Sequence, residues 1–120
     1  MLNLDTHILV ASLAGELTAR EDALVRDGDL VVSDIVLWEL AKLVQLGRLV
    51  LDMDSVAFRR VLRYLTIIPV SIQIARQSTK LDFASDPADE LIAATSVVEQ
   101  IPLLTRDRKI LKSRIVPFAE

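Results

Sequence analysis

The sequence predicts an α/β domain of three layers, α/β/α, with a mostly parallel central sheet of about five short strands. Three observations carry this prediction. Short apolar runs such as Leu2–Asp5 and Leu30–Ser33 are each followed by a helical stretch, and strands that alternate with helices join through crossovers and so run parallel. The run Leu30-Val31-Val32-Ser33 is β-branched and apolar without alternation, the pattern of a strand covered on both faces. The 120 residues, 52% hydrophobic with only 3 Gly and 4 Pro, supply one core and are too few for two, so residues 1–120 form a single domain.

Leu2 to Asp5 reads as a buried strand and Thr6 to Ala14 as a helix that ends near Gly15. A second helix spans about Leu17 to Arg26, and the turn Asp27-Gly28-Asp29 leads into the strand Leu30–Ser33. Asp34 to Leu46 is helical and apolar nearly all round, interrupted by Glu39, Lys42 and Gln45, and ends at Gly47, where a left-handed residue is tolerated. Trp38, inside that apolar helix, is expected in the core. Asp54 or Ser55 caps a helix through about Tyr64, and Thr66 to Val70 returns to a strand that Pro69 places near a sheet edge. Ser71 to Leu81 reads as helix and Phe83–Ser85 as a loop. Asp86-Pro87, a cap followed by proline at the first helical position, opens a helix to Gln100. Pro102 stops it. Leu103–Thr105 is a strand, Asp107–Lys112 a short helix and Ile115–Val116 a last strand. In such sheets ligands sit beyond the carboxyl ends of the strands, where strand order reverses.

Composition narrows the chemistry. With 17 acids against 14 bases and a net charge of -3, bulk positive charge cannot be the grip on a nucleic acid, and any such contact is local. The absence of Cys excludes disulfides, thiolate metal sites and cysteine nucleophiles. Asp5 interrupts what would have to be an apolar leader, and charge or proline breaks every apolar stretch short of the ~20 residues of a membrane span. A cytoplasmic protein with no membrane partner is expected.

Four acids stand out. Asp5 and Asp107 each follow a strand and precede a helix, so each suits an N-cap. Asp89, three residues after Asp86, mimics a capping box. Glu39 sits among Ile35, Val36, Leu37, Trp38, Leu40, Ala41 and Leu43, where an unpaired carboxylate is costly; an i,i+3 pair with Lys42 is its structural alternative. Taken together, all four can reach the same edge of the sheet. Two unit charges ~4 Å apart repel by about 4 kcal/mol at an effective dielectric of 20, so converging carboxylates call for a cation. Hard divalent ions prefer oxygen ligands, and Mg²⁺ binds through few carboxylates while keeping waters and phosphate oxygens. Such an ion activates water and stabilises charge on a phosphate, as phosphodiester hydrolysis requires.

The segments LDTHILVASL, VVSDIVLWEL, DPADELIAATS and LLTRDRKI resemble, in order and across nearly the whole chain, the PIN-domain nucleases, and among them the VapC-type toxins of toxin–antitoxin pairs. The resemblance implies a PIN-like fold and a Mg²⁺- or Mn²⁺-dependent endoribonuclease whose metal-site and catalytic residues are Asp5, Glu39, Asp89 and Asp107. Thr6 and Thr105 match polar positions beside the first and last acids, where a hydroxyl holds a water or phosphate. It further implies a homodimer, a small VapB-like antitoxin that blocks the site, and an RNA target such as tRNA. Two residues depart from the pattern. Glu90 stands where these toxins often carry Arg, and Asp34 occupies a position often small in relatives, where it suits the N-cap of the Glu39 helix.

Arg106, Arg108, Lys109, Lys112 and Arg114 surround Asp107 as a local rail for RNA phosphates or as a solvated surface. Arg59 and Arg63 share a helical face and suit the same role. His7, the only histidine, is expected to pack or hydrogen-bond rather than act as a base. A phosphatase or phosphoacceptor domain needs a second acid two residues after its nucleophilic Asp, or an acidic pair with a later Lys; Asp5-Thr6-His7 supplies neither. No Gly-rich phosphate loop exists for nucleotide binding. The remaining alternative is a catalytically weak or inactive PIN-like protein-interaction module.

Overall fold

The computed structural model describes every residue from Met1 to Glu120. In chain order its elements are β1 (Leu2–Leu4), α1 (Thr6–Ala14), α2 (Ala19–Asp27), β2 (Leu30–Ser33), α3 (Ile35–Gln45), α4 (Val56–Arg63), β3 (Leu65–Ile68), α5 (Ile72–Ser78), α6 (Pro87–Glu99), β4 (Leu103–Leu104) and α7 (Arg108–Leu111). The architecture is the expected α/β one, with a parallel sheet in the order β3-β2-β1-β4. From β1 the chain builds outward through β2 to β3, then returns to place β4 on the other side of β1. The order therefore reverses between β1 and β4, and in open α/β sheets the carboxyl ends of the strands at such a reversal are where ligands bind.

Local chemistry explains the boundaries. Thr18 caps α2 in a reciprocal box: its hydroxyl accepts the Glu21 N–H at 3.1 Å while the Glu21 carboxylate accepts the Thr18 N–H at 2.9 Å. Ser55, rather than Asp54, caps α4 through the Phe58 N–H at 3.1 Å. Gly15 closes α1 with φ 70°, a left-handed conformation that glycine adopts without the Cβ penalty. The core joins Leu4, Ile8, Val32, Val36, Leu40, Ile92, Leu104 and Ile110, all at most 2% exposed.

Several expectations are corrected. The sheet has four strands, not about five. Ile115–Val116 pairs with nothing; a turn in which Asp82 accepts the Ser113 hydroxyl at 2.6 Å and the Arg114 N–H at 2.7 Å holds that segment. Only an isolated parallel bridge, Leu103 to Phe118, extends the sheet. β3 does form an edge, but it ends at Ile68, so Pro69 terminates it rather than interrupting it. Trp38 is 53% exposed, not core. α3 belongs to an outer layer and fully buries only Val36 and Leu40, so its far side faces solvent despite being apolar, and the Lys42 ammonium lies 5.8 Å from the Trp38 ring centroid. No helix is long and apolar enough to cross a membrane.

Candidate metal centre

Asp5 follows β1 at the switch point and is 1% exposed. Its own N–H donates to the Leu104 carbonyl at 3.1 Å, extending the β1–β4 ladder by one rung. One carboxylate oxygen accepts the Thr6 N–H at 2.8 Å, capping α1, and the other accepts the Thr105 hydroxyl at 2.6 Å. The cap and the site are thus the same residue.

Thr6 turns its hydroxyl the other way, donating to Glu39 Oε1 at 2.5 Å. The alternative pairing of Glu39 with Lys42 does not form; Lys42 Nζ donates to Gln45 at 3.1 Å instead. Asp107, past β4, caps α7 by accepting the N–H groups of Lys109 at 2.8 Å and Ile110 at 3.3 Å through Oδ1. Thr105 connects the two strand ends, because its hydroxyl also accepts the Asp107 N–H at 3.0 Å.

Asp89 lies in the first turn of α6 and accepts the Ser85 hydroxyl at 3.0 Å. The Asp86–Asp89 capping box is absent, since Asp86 makes no side-chain cap bond. Glu90 reaches back instead, accepting the Ser85 N–H at 3.4 Å. The acid that departs from the expected Arg is therefore tied to the loop before α6. Asp34 likewise makes no cap; its backbone is already helical (φ -61°, ψ -22°), and its carboxylate accepts the Val70 N–H at 3.4 Å.

Electrostatics ties the four acids together. Burial pushes the Asp5 carboxyl above its usual range, against its Thr105 and Thr6 hydrogen bonds and His7, while the Asp107 charge raises it further. Burial also raises Glu39, opposed by its Thr6 bond and aided by the charges of Asp89 and Asp5. Asp89 is raised by burial, against its Ser85 bond, with Asp5 and Asp107 adding repulsion. Asp5, Glu39 and Asp89 thus each feel the charge of at least one other of the four acids.

The donor set fits a hard divalent cation in kind: all carboxylate and hydroxyl oxygens, with Glu39 Oε2, Asp89 Oδ1 and Asp107 Oδ2 holding no hydrogen bond. As arranged, no three acidic or histidine groups stand at ligand spacing. An ion at this edge would therefore draw carboxylates inward by side-chain rotation, exchanging repulsion for coordination.

Of the basic residues, Arg106 is committed elsewhere. Its guanidinium donates to both oxygens of the buried Glu21, at 2.8 and 2.6 Å, and to the Glu16 carbonyl at 3.1 Å. The Arg106 bond, with Thr18 assisting against desolvation, holds the Glu21 carboxyl down at about 2. Arg108, Lys109, Lys112 and Arg114 are exposed and make no ion pair, as are Arg59 and Arg63 on α4. His7 is exposed and makes no hydrogen bond, against the expected packing role; it lines an open cleft of about 410 Å³ with Glu16, Arg106 and Asp107. Sequence reading missed Glu21, Ser85 and Asn3. Thr18-x-x-Glu21 is a readable capping signal, whereas the roles of Ser85 and Asn3 depend on the assembled fold.

The PIN domain profile matches residues 3–114. Solved structures of similar fold include a toxin–antitoxin complex from Klebsiella pneumoniae, 22% identical, covering 99% of this chain and 97% of that one, with a TM-score of 0.74. VapBC2 from Rickettsia felis, bound to a DNA fragment from its promoter, is 19% identical over 99% of this chain and 98% of that one, with a TM-score of 0.70. FitAcB from Neisseria gonorrhoeae is 22% identical over 99% and 97%, with a TM-score of 0.69. No curated protein sequence matches. A profile that spans almost the whole sequence, on a parallel sheet whose strand order reverses between β1 and β4, establishes that the chain belongs to the PIN-domain family.

Proposed function

We propose that this chain is a divalent-metal-dependent endoribonuclease, a VapC-type toxin that cuts RNA with Asp5, Glu39, Asp89 and Asp107. One observation carries the reading: Asp5, Glu39 and Asp89 are each pushed up by burial and by the charge of at least one other of the four acids, so the four lie within electrostatic reach of one another near the strand-order switch. Acids perturbed by desolvation and by specific charged neighbours are functional-site candidates on physical grounds.

Asp5 and Asp89, with Asp107 and Glu39, would hold Mg²⁺ or Mn²⁺. The ion, when bound, supplies a polarised water and neutralises charge developing on the phosphate. The chain's own groups do the rest. Thr105 fixes the Asp5 carboxylate from the far side of the switch point, and Thr6 holds Glu39 toward it. Arg108, Lys109, Lys112 and Arg114 offer free cations beside Asp107 for the phosphates on either side of the cut.

The similar fold of the toxin–antitoxin complex from Klebsiella pneumoniae supports a VapB-like antitoxin as partner. A homodimer acting on cytoplasmic RNA, tRNA included, completes the reading. A second reading, a catalytically weak or inactive interaction module, is favoured by the absence of any three groups at ligand spacing. Labelled RNA incubated with purified protein and Mg²⁺ or Mn²⁺ separates the two. The nuclease reading expects cleavage that EDTA abolishes and that Asp5→Asn and Asp89→Asn each remove. Cleavage indifferent to EDTA and to both substitutions, or none at all with antitoxin binding intact, rejects it.

A further inference from the structure

Asn3 lies in the middle strand region of the sheet, paired on one side with Val31 and on the other with Leu103, and is 0% exposed. Its side-chain amide donates to the Ile92 carbonyl at 3.1 Å and to the Ser96 hydroxyl at 2.9 Å, both on α6. Its carbonyl oxygen, equally buried, has no partner. The donation to a backbone carbonyl fixes which end of the amide points at the helix. An unsatisfied buried carbonyl is a liability that an apolar side chain of the same size would not carry.

The position explains why the liability is useful. Side chains two apart on extended backbone share a face, which places Asn3, bonded to α6, on the same side of the sheet as Asp5, whose charge acts on Asp89 in the first turn of that helix. Residues three and seven apart share a helical face, so Asp89, Ile92 and Ser96 line one side of α6. Asn3 therefore meets the helix one rung below the level at which Asp5 and Asp89 interact.

We propose that Asn3 is a positioning residue for the acidic centre: its amide pins α6 to β1 and so sets the distance between Asp5 and Asp89. An apolar contact here would allow the helix to slide, because dispersion and burial have no direction, whereas two hydrogen bonds fix one register. The inference rests on the metal-site reading above. Ser96 shares the role through its hydroxyl.

The test uses Asn3→Leu and the milder Ser96→Ala in full-length protein, with Mn²⁺ alone as the probe. Titration calorimetry reads Mn²⁺ affinity, and crystal structures of the metal-free variants read the place of α6 on the sheet. Asn3→Leu, which removes the unpaired carbonyl but strips the buried Ser96 hydroxyl of its partner, is expected to fold yet bind Mn²⁺ about 10-fold more weakly, the scale of losses for groups that orient metal ligands. In its structure α6 is displaced along β1, and Ser96→Ala moves both readouts the same way by less. Unchanged affinity, or weaker affinity with α6 in its wild-type place, overturns the proposal. If Asn3→Leu does not fold, the same two outcomes in Ser96→Ala decide it. A wild type that binds no Mn²⁺ instead removes the metal site itself, and the purpose assigned to Asn3 with it.

Discussion

Replacing Glu21 by Gln changes one charge and almost no shape. The new amide carbonyl can still accept the Thr18 N–H, so the cap on α2 survives and the loss is confined to the charge facing Arg106. The Glu21 carboxyl is held at about 2 against an ordinary 4.5; at 1.36 kcal/mol per pKa unit that depression corresponds to about 3 kcal/mol. The Arg106 side chain is 44% exposed, so solvent screens the pair, and the Thr18 contacts supply part of the depression; the expected loss is about 1–2 kcal/mol. For a domain of this size that lowers the unfolding midpoint by roughly 4–8 °C. The sign follows from the direction of the shift. A depressed acid contributes its full stability above its unfolded value, loses it as pH falls, and contributes none below its folded value. Thermal unfolding of wild type and Glu21→Gln should thus show a gap at neutral pH that narrows below 4.5 and closes near 2. A gap as wide in acid as at neutrality, or none at neutrality, would refute the reasoning.

Three further outcomes follow from the same geometry. Asp5, Glu39 and Asp89 are all raised, so their stability contribution is complete below the unfolded values and lost as pH rises through the folded ones; in EDTA, Asp5→Asn should gain on wild type as pH climbs toward neutrality, and a flat difference contradicts this. Thr105→Val strips both the Asp5 carboxylate and the Asp107 N–H of a partner, costing about 1–3 kcal/mol in urea unfolding; an unchanged midpoint would show that the hydroxyl does not join the strand ends. Arg108→Ala combined with Lys109→Ala should weaken RNA binding and lower the salt slope by about 1–2, while Arg106→Ala destabilises the fold and leaves that slope alone. Equal slopes in wild type and double variant would remove the basic rail.

Local signals made much of the molecule legible. Asp5 and Asp107 sit between a strand and a helix in the sequence, and each does cap its helix while facing the switch point. The run Leu30–Ser33 reads as a strand buried from Val31 onward, and it is. What failed depended on neighbours the sequence does not display. Trp38 and its apolar surroundings suggested burial, yet a helix in an outer layer has a far side whatever its composition. Ile115–Val116 has strand-forming residues, but Asp82 holds the adjoining turn and the sheet is not reached until Phe118. Asn3 lies 93 positions from Ser96, and Glu21 lies 85 from Arg106, separations at which no spacing rule operates.

Anomalous diffraction from crystals grown with Mn²⁺ tests the acidic centre most directly. A peak about 2 Å from carboxylate oxygens of both Asp5 and Asp89, with Asp107 or Glu39 completing the set directly or through water, is the predicted result. A peak anywhere else, or none beside these four residues at saturating Mn²⁺, would contradict it.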